Sequence, residues 1–265
     1  MKVVLFCGGL GMRLREYSES VPKPMVNIGY RPILWHVMKY YAHYGHKDFI
    51  LCLGYKADTI KRYFLDYNEC ITNNFVLLNG GKEVKLLNSD IHDWKLTFVD
   101  TGTNSNIGQR LQAVREHLQE EELFLANYAD GLTDLPLGEQ IQALADSGKV
   151  ASFLCVKPSQ TFHVAAMDGN SVTGIQHVTK TNLRMNGGYF VFRREIFDYM
   201  REGEELVEEP FQRLIAAKKL MGYSYDGFWA CMDTFKELQK LEDLFNRNEA
   251  PWEVWKARTN GRRHA

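Results

Sequence analysis

Short apolar runs rich in β-branched and aromatic residues alternate with segments of helical period along most of the chain, and no other feature constrains the fold as much. A strand-helix-strand rhythm satisfies its backbone hydrogen bonds as a mainly parallel sheet, because each parallel crossover needs a dozen or more residues, usually a helix. The expected class is therefore α/β, with helices on both faces. Val3 to Phe6 reads as the first strand and runs into Gly8, Gly9 and Gly11. Pro32 then opens a helix whose stripe Ile33, Leu34, Val37, Met38 and Tyr41 marks one buried face. Phe49 to Leu53 and Leu96 to Asp100 read as strands, and helices are expected around Ile60, Tyr63, Phe64 and Tyr67 and around Leu111, Val114 and Leu118. Leu123 to Ala126 is a short strand that delivers Asn127-Tyr128-Ala129-Asp130-Gly131 at its carboxyl end, the end where ligands bind in an open α/β sheet.

Two stretches break the rhythm. Asn79-Gly80-Gly81 between Phe75–Leu78 and Val84–Leu87 predicts a hairpin. After a helix over 137–146, the runs 150–156, 164–167, 172–175 and 189–192 crowd together with Gly or Asp-Gly turns, which predicts a small, more antiparallel region. A C-terminal helix is expected over 235–246. No Pro/Ser-rich linker and no repeat is visible, so residues 1–265 are expected to form one domain.

Composition matters for what it excludes. Lys and Arg number 32 against 33 Asp and Glu, so the chain generates no field that would draw a nucleic acid. No run reaches the ~18 apolar residues of a membrane span, and MKVVLFCGGLG is too short and too Gly-interrupted for a signal peptide. A cytoplasmic protein is expected. The five cysteines are dispersed without metal-ligand spacing, which points to buried free thiols and away from a disulfide framework or a zinc site.

Three features carry chemistry. In Gly8-Gly9-Leu10-Gly11-Met12-Arg13-Leu14, glycines let backbone N–H groups close on an anion and Arg13 adds a forked donor. By spacing alone this is either a phosphate cradle or a tight strand-to-helix turn. It is not a Walker A loop, and it lacks the third glycine of a dinucleotide fingerprint. In Pro22-Lys23-Pro24-Met25, two prolines stiffen the backbone around one lysine, which could supply a point charge to a phosphate. Asp130, at a strand end, stands where a Mg²⁺-binding carboxylate is expected, since Mg²⁺ takes one or two protein carboxylates plus phosphates.

With Pro32-Ile33-Leu34-Trp35-His36, Val99-Asp100-Thr101-Gly102, Asn186-Gly187-Gly188-Tyr189-Phe190, Gly227-Phe228-Trp229, Met232-Asp233-Thr234 and Ala250-Pro251-Trp252, these motifs resemble the sugar-1-phosphate nucleotidylyltransferases, and within them the glucose-1-phosphate cytidylyltransferase group. The resemblance runs over nearly the whole chain. It implies a Rossmann-like fold with a nucleotide half near 1–149, a sugar-phosphate half near 150–233 and a helical segment near 234–258. It also implies a homo-oligomer acting in sugar nucleotide biosynthesis. Gly8, Gly9, Gly11, Met12 and Arg13 would cradle the nucleotide, with Arg13 on the leaving pyrophosphate. Lys23 would contact the reacting phosphates, and Asp130 and Asp233 would hold one Mg²⁺. Gly108 and Arg110 would belong to the segment facing the base, while Asn186 and Gly187 would touch the sugar or its phosphate. The implied reaction joins a nucleoside triphosphate, CTP favoured, to a sugar 1-phosphate and releases pyrophosphate.

The sugar side departs from the family pattern. Where Glu-Lys-Pro is usual the chain has His177-Val178-Thr179, and where Arg-Phe-Gly is usual it has Thr161-Phe162-His163. Lys180 or Arg184 is expected to take over the phosphate charge, and His163 or His177 to read the hydroxyls of a sugar other than glucose. Two alternatives stay open: a UTP- or GTP-using relative acting on an unusual sugar 1-phosphate, and a non-catalytic NDP-sugar-binding paralogue. Retention of both Asp130 and Asp233 argues against the second.

Overall fold

The sheet grows outward from its most apolar strand. The computed structural model describes residues 1–9, 21–158 and 162–256. In β1 (Lys2–Phe6) the four residues Val3 to Phe6 are all buried, as expected of a strand covered on both faces. A small ribbon of β2 (Asn27–Ile28) and β3 (Arg31–Pro32) leads into α1 (Ile33–His43), which Pro32 starts at the N-cap. β4 (Asp48–Leu53), α2 (Ala57–Leu65), the hairpin β5 (Phe75–Leu78) and β6 (Glu83–Leu86), and β7 (Lys95–Asp100) follow. α3 (Ile107–Ala113) opens with a reciprocal capping box between Asn106 and Gln109. It stops short of the predicted stripe, and the chain tightens into a 3₁₀ turn, Arg115–Leu118, that still buries Leu118. β8 (Leu123–Asn127), β9 (Gly131–Thr133) and α4 (Leu137–Ser147) complete the first half.

The second half adds β10 (Ala151–Val156), the hairpin β11 (His163–Asp168) and β12 (Ser171–His177), β13 (Met185–Asn186) and β14 (Phe190–Arg193). Then come α5 (Glu209–Ala216), β15 (Leu220–Tyr225), β16 (Trp229–Cys231) and α6 (Phe235–Asn246). Among the described residues eight strands share one sheet. β1 pairs in parallel with β4 and β8, and β4 with β7. β14 runs antiparallel between β8 and β10, and β15 joins β10 in parallel. The sheet is thus mixed and mostly parallel, the class the sequence predicts. β13 and β14 are one strand broken at Gly187-Gly188-Tyr189, because Gly188 (φ 70°) and Tyr189 (φ 49°) both adopt the left-handed region. That break moves the start of the strand from the expected Tyr189 to Phe190.

Alternate residues of β1 feed two cores. Val3 and Leu5 pack with α1, α4 and α6 through Val37, Tyr41, Leu144 and Leu241, while Val4 and Phe6 pack with α3 and α5 through Leu111 and Leu214. Tyr40 and Tyr41 are core residues packed on buried Tyr189, Tyr40 edge-on and Tyr41 stacked. No helix among the described residues is long and apolar enough to cross a membrane.

Candidate active site

Two acids meet because a ribbon of three-residue strands brings their neighbourhoods together. At the end of β8 the buried Asn127 side chain accepts from the Ala129 N–H at 2.8 Å and holds Ala129 in the left-handed region (φ 63°), which turns the chain at Asp130. β9 pairs antiparallel with β16, Gly131 opposite Cys231, and the Met232 N–H donates to the Asp130 carbonyl at 2.9 Å. Asp130 therefore precedes one strand and Asp233 follows the other, at the same end. Asp233 is fixed from behind by the capping box that opens α6. The Glu237 carboxylate accepts from the backbone N–H of Asp233 (2.8 Å) and of Thr234 (2.9 Å), and Thr234 Oγ1 accepts from the Glu237 N–H.

Lys23 closes the cluster. A 3₁₀ turn, Lys23–Met25, is held between Pro22 and Val26 by N–H bonds from Met25 to Pro22 (2.8 Å) and from Val26 to Lys23 (3.1 Å). The Lys23 Nζ donates to Asp130 Oδ2 at 2.6 Å and to Asp233 Oδ1 at 2.5 Å. Burial alone works against the ammonium, but the two carboxylates outweigh it and raise the Lys23 pKa above its ordinary value. One cation is thus shared by two carboxylates drawn from different parts of the chain. This hard-oxygen pair also fits Mg²⁺, which takes one or two carboxylates at about 2.1 Å and fills its shell with water and phosphate. Cys231 Sγ lies 3.6 Å from Asp233 Oδ2; burial and the adjacent acids push the thiol up to about 12, so it stays neutral. Cys231, Asp233 and Glu237 also place ligand-type atoms within 4.8 Å of one another, yet Glu237 already serves two backbone N–H groups.

The glycine loop rests on Arg110. Gly8 and Gly9 follow β1; Gly11, Met12 and Arg13 lie outside the described residues. A Cβ on Gly8 would fall 2.0 Å from Arg110 Nη1, so only glycine lets the backbone lie on that guanidinium. Arg110 is buried, and among the described residues it donates to backbone carbonyls and a hydroxyl. Gly108 is covered from the other side. Its absent Cβ leaves room for the Glu204 carbonyl, 2.1 Å from where that atom would be, and the Asn106 amide donates to the Gly203 carbonyl at 2.9 Å.

On the other flank the Asn186 amide donates to the Tyr128 hydroxyl at 3.2 Å and accepts from the Gly188 N–H at 2.9 Å, which ties the broken strand to the turn before Asp130. The Trp229 indole N–H donates to the Gly187 carbonyl at 2.9 Å. His163 and His177 face each other across the base of the β11–β12 hairpin, ring centres 5.2 Å apart, and His177 Nδ1 pairs with the Thr179 hydroxyl at 2.7 Å. Lys180 is exposed at the end of the following 3₁₀ turn, Val178–Lys180. Phe162, next to His163, lines a cavity of about 410 Å³ with Trp229, Cys231, Thr234 and Glu237, so the hairpin base reaches the neighbourhood of Asp233. Of the expected residues, Lys23, Asp130 and Asp233 meet directly, while Asn186 and Gly187 bond to Tyr128 and Trp229, in the segments that lead to the two acids. Tyr128, Trp229 and Glu237 escape the sequence reading as site residues, although Thr234-x-x-Glu237 is a legible capping signature.

Comparison with known proteins gives the family and the fold. The family model described as nucleotidyl transferase matches residues 2–243. The glucose-1-phosphate cytidylyltransferases of Salmonella typhi and Salmonella typhimurium are each 37% identical over 258 residues, 96% of this chain and 100% of theirs. A UDP-glucose pyrophosphorylase from Acinetobacter baumanii superposes with a TM-score of 0.68 at 16% identity, covering 96% of both chains, a likeness of fold.

Proposed function

The chain belongs to the nucleotidyl transferase family, and from that premise we propose that it is a Mg²⁺-dependent sugar-1-phosphate nucleotidylyltransferase using CTP and glucose 1-phosphate or a related sugar 1-phosphate. The observation that carries this reading is the meeting of Asp130, Lys23 and Asp233, two carboxylates and a cation at the carboxyl end of the sheet. The choice of CTP is supported by the full-length relatives that are cytidylyltransferases.

No general base is required, because a sugar phosphate monoester has its second pKa near ~6 and is mostly dianionic at neutral pH. One of its oxygens forms a bond to the α-phosphorus while the bond from that phosphorus to the bridging oxygen of pyrophosphate breaks, and the electron pair leaves with pyrophosphate. The protein's task is positioning and charge neutralisation. Lys23, freed from one carboxylate, meets the phosphates at the reacting centre as a point charge. By the resemblance, Arg13, which lies outside the described residues, would contact the leaving pyrophosphate. Asp130 and Asp233 would hold Mg²⁺, which when bound supplies neutralisation of the phosphate oxygens. Asn186 and Gly187 border the sugar, and the cavity beside Phe162 and Trp229 offers it room. His163 and His177 at the hairpin base, and Lys180 in the turn that follows, would take over the usual sugar contacts.

The test is pyrophosphate release from CTP, UTP, dTTP, GTP and ATP against a panel of sugar 1-phosphates with Mg²⁺. CTP with one sugar should turn over, and Asp130→Ala should lower the rate by ~10² to 10³ or more. Turnover with another base would replace CTP in this reading. Nucleotide binding without turnover of any pair would favour a binding paralogue.

A further inference from the structure

The cavity of about 410 Å³ beside the acid pair is walled mostly by aromatic and aliphatic side chains, and Glu237 is the sole carboxylate on it among the described residues. Of the other polar groups on that wall, Lys236 and Lys240 only donate, Thr234 Oγ1 already accepts from the Glu237 N–H, and the Cys231 thiol is a weak partner. The hairpin side brings no acid. Residues 177–184 contain none, His177 Nδ1 is paired with the Thr179 hydroxyl, and Arg184 donates to Asp226 Oδ1 at 2.7 Å. A sugar hydroxyl that enters the cavity thus finds its strongest acceptor in Glu237.

The Glu237 carboxylate is also divided in its use. The N–H groups of Asp233 and Thr234 both go to Oε2, at 2.8 and 2.9 Å, whereas a carboxylate accepts about four hydrogen bonds over its two oxygens. Capping α6 therefore leaves acceptor capacity on Oε1. The position suits a sugar phosphate as well, since Glu237 and Asp233 place an oxygen each within 4.8 Å of one another. A carboxylate there repels a phosphate and accepts from a hydroxyl, so it turns the anionic end of the substrate toward Lys23 and keeps the hydroxyls on its own side. A residue that only capped the helix would not need to face the cavity.

We propose that Glu237 is a specificity-determining residue of the sugar site: Oε2 holds the cap that fixes Asp233, while Oε1 accepts a hydrogen bond from one hydroxyl of the sugar 1-phosphate. This rests on the reading above that a sugar 1-phosphate binds beside the acid pair. One side chain then sets both the place of an acid and the choice of sugar.

Deleting the hydroxyl from the substrate and the charge from the protein separates this contact from a loosened cap. Gln still serves a capping box, so Glu237→Gln keeps the helix end but loses the charged acceptor. The probes are glucose 1-phosphate and its monodeoxy analogues, or the sugar 1-phosphate of the panel that turns over in its place with its own analogues. Glu237→Gln should raise the KM of the parent sugar on the order of 10- to 50-fold and leave the KM of the nucleotide unchanged. One analogue should be poor with the wild type and no poorer with Glu237→Gln, because the hydroxyl that Glu237 reads is already gone. The same loss for the parent and every analogue, or an unchanged sugar KM, would overturn the proposal. Should Glu237→Gln fail to fold by near-UV circular dichroism, Glu237→Asp decides: a loss that vanishes with one analogue supports it, a loss common to all overturns it. A wild type that turns over no pair overturns the proposed function as well, whereas a flat series in an active wild type removes only the role of Glu237.

Discussion

At the scale of single residues, Lys23 does two opposed things. It stabilises the Asp130–Asp233 pair by sitting between them, and it competes for those oxygens with any other cation. Lys23→Met is therefore expected to bind Mn²⁺ more tightly than the wild type when no nucleotide is present, and to release pyrophosphate ~10² to 10³ times more slowly. Calorimetric titration and steady-state assay on one preparation check both halves; weaker metal binding would show that the lysine orders the carboxylates and does not compete. Gly188 is a similar case of one residue serving geometry. At φ 70°, with a Cβ position 3.1 Å from Tyr128, it lets Asn186 reach the hydroxyl of that tyrosine.

At the scale of elements, the N-terminus of α6 holds one of the two acids in place. Thr234→Ala removes the N-cap acceptor and should cost about 1 kcal/mol, read as a lowered midpoint in urea. Glu237→Ala removes the acceptor for two N–H groups, including that of Asp233, and should lower turnover as well as stability. Equal turnover in the wild type and Glu237→Ala would detach the cap from the chemistry. The long elements are legible in the sequence: β1, α1, β4, β7, α4, β10 and α6 follow from apolar period, Pro32 and glycine positions. α5 and β15 are not in the sequence reading, although Pro210 in the first turn and buried Phe211 and Leu214 mark a helix. β9 and β16 could not be read, since three-residue strands show no period, and yet they bring Asp130 to Asp233. Asp130 is recognisable as a strand-end carboxylate, while Asp233 is recognisable only through family resemblance. Nothing in a sequence separates a buried arginine from a solvated one, so the bed of carbonyls around Arg110 is visible only in three dimensions.

At the scale of the whole molecule, His36 joins the two ends of the chain. The Trp252 indole donates to His36 Nδ1 at 3.3 Å, so Nε2 carries the ring proton and donates to the Ile28 carbonyl at 3.0 Å. Burial lowers the His36 pKa from 6.5 to about 4. The unfolded chain takes up a proton near 6.5 and the folded chain only near 4, so the stability tied to neutral His36 is complete above pH 6.5 and drains away as pH falls toward 4. The loss is about 3 kcal/mol. Urea melts from pH 7 to pH 4 should show that slope in the wild type and a flatter one in His36→Asn; parallel slopes would assign the effect to other groups. The same long reach governs when the site can exist at all. Asp130 follows Lys23 by 107 residues and Asp233 follows it by 210, and β9 has no partner strand until β16 is present. On the ribosome, where N-terminal regions fold first, the early strands can assemble while the acid pair is still incomplete. A nascent chain can therefore acquire much of the sheet before Lys23, Asp130 and Asp233 can meet, and the proposed activity waits until β16 and Asp233 have been made.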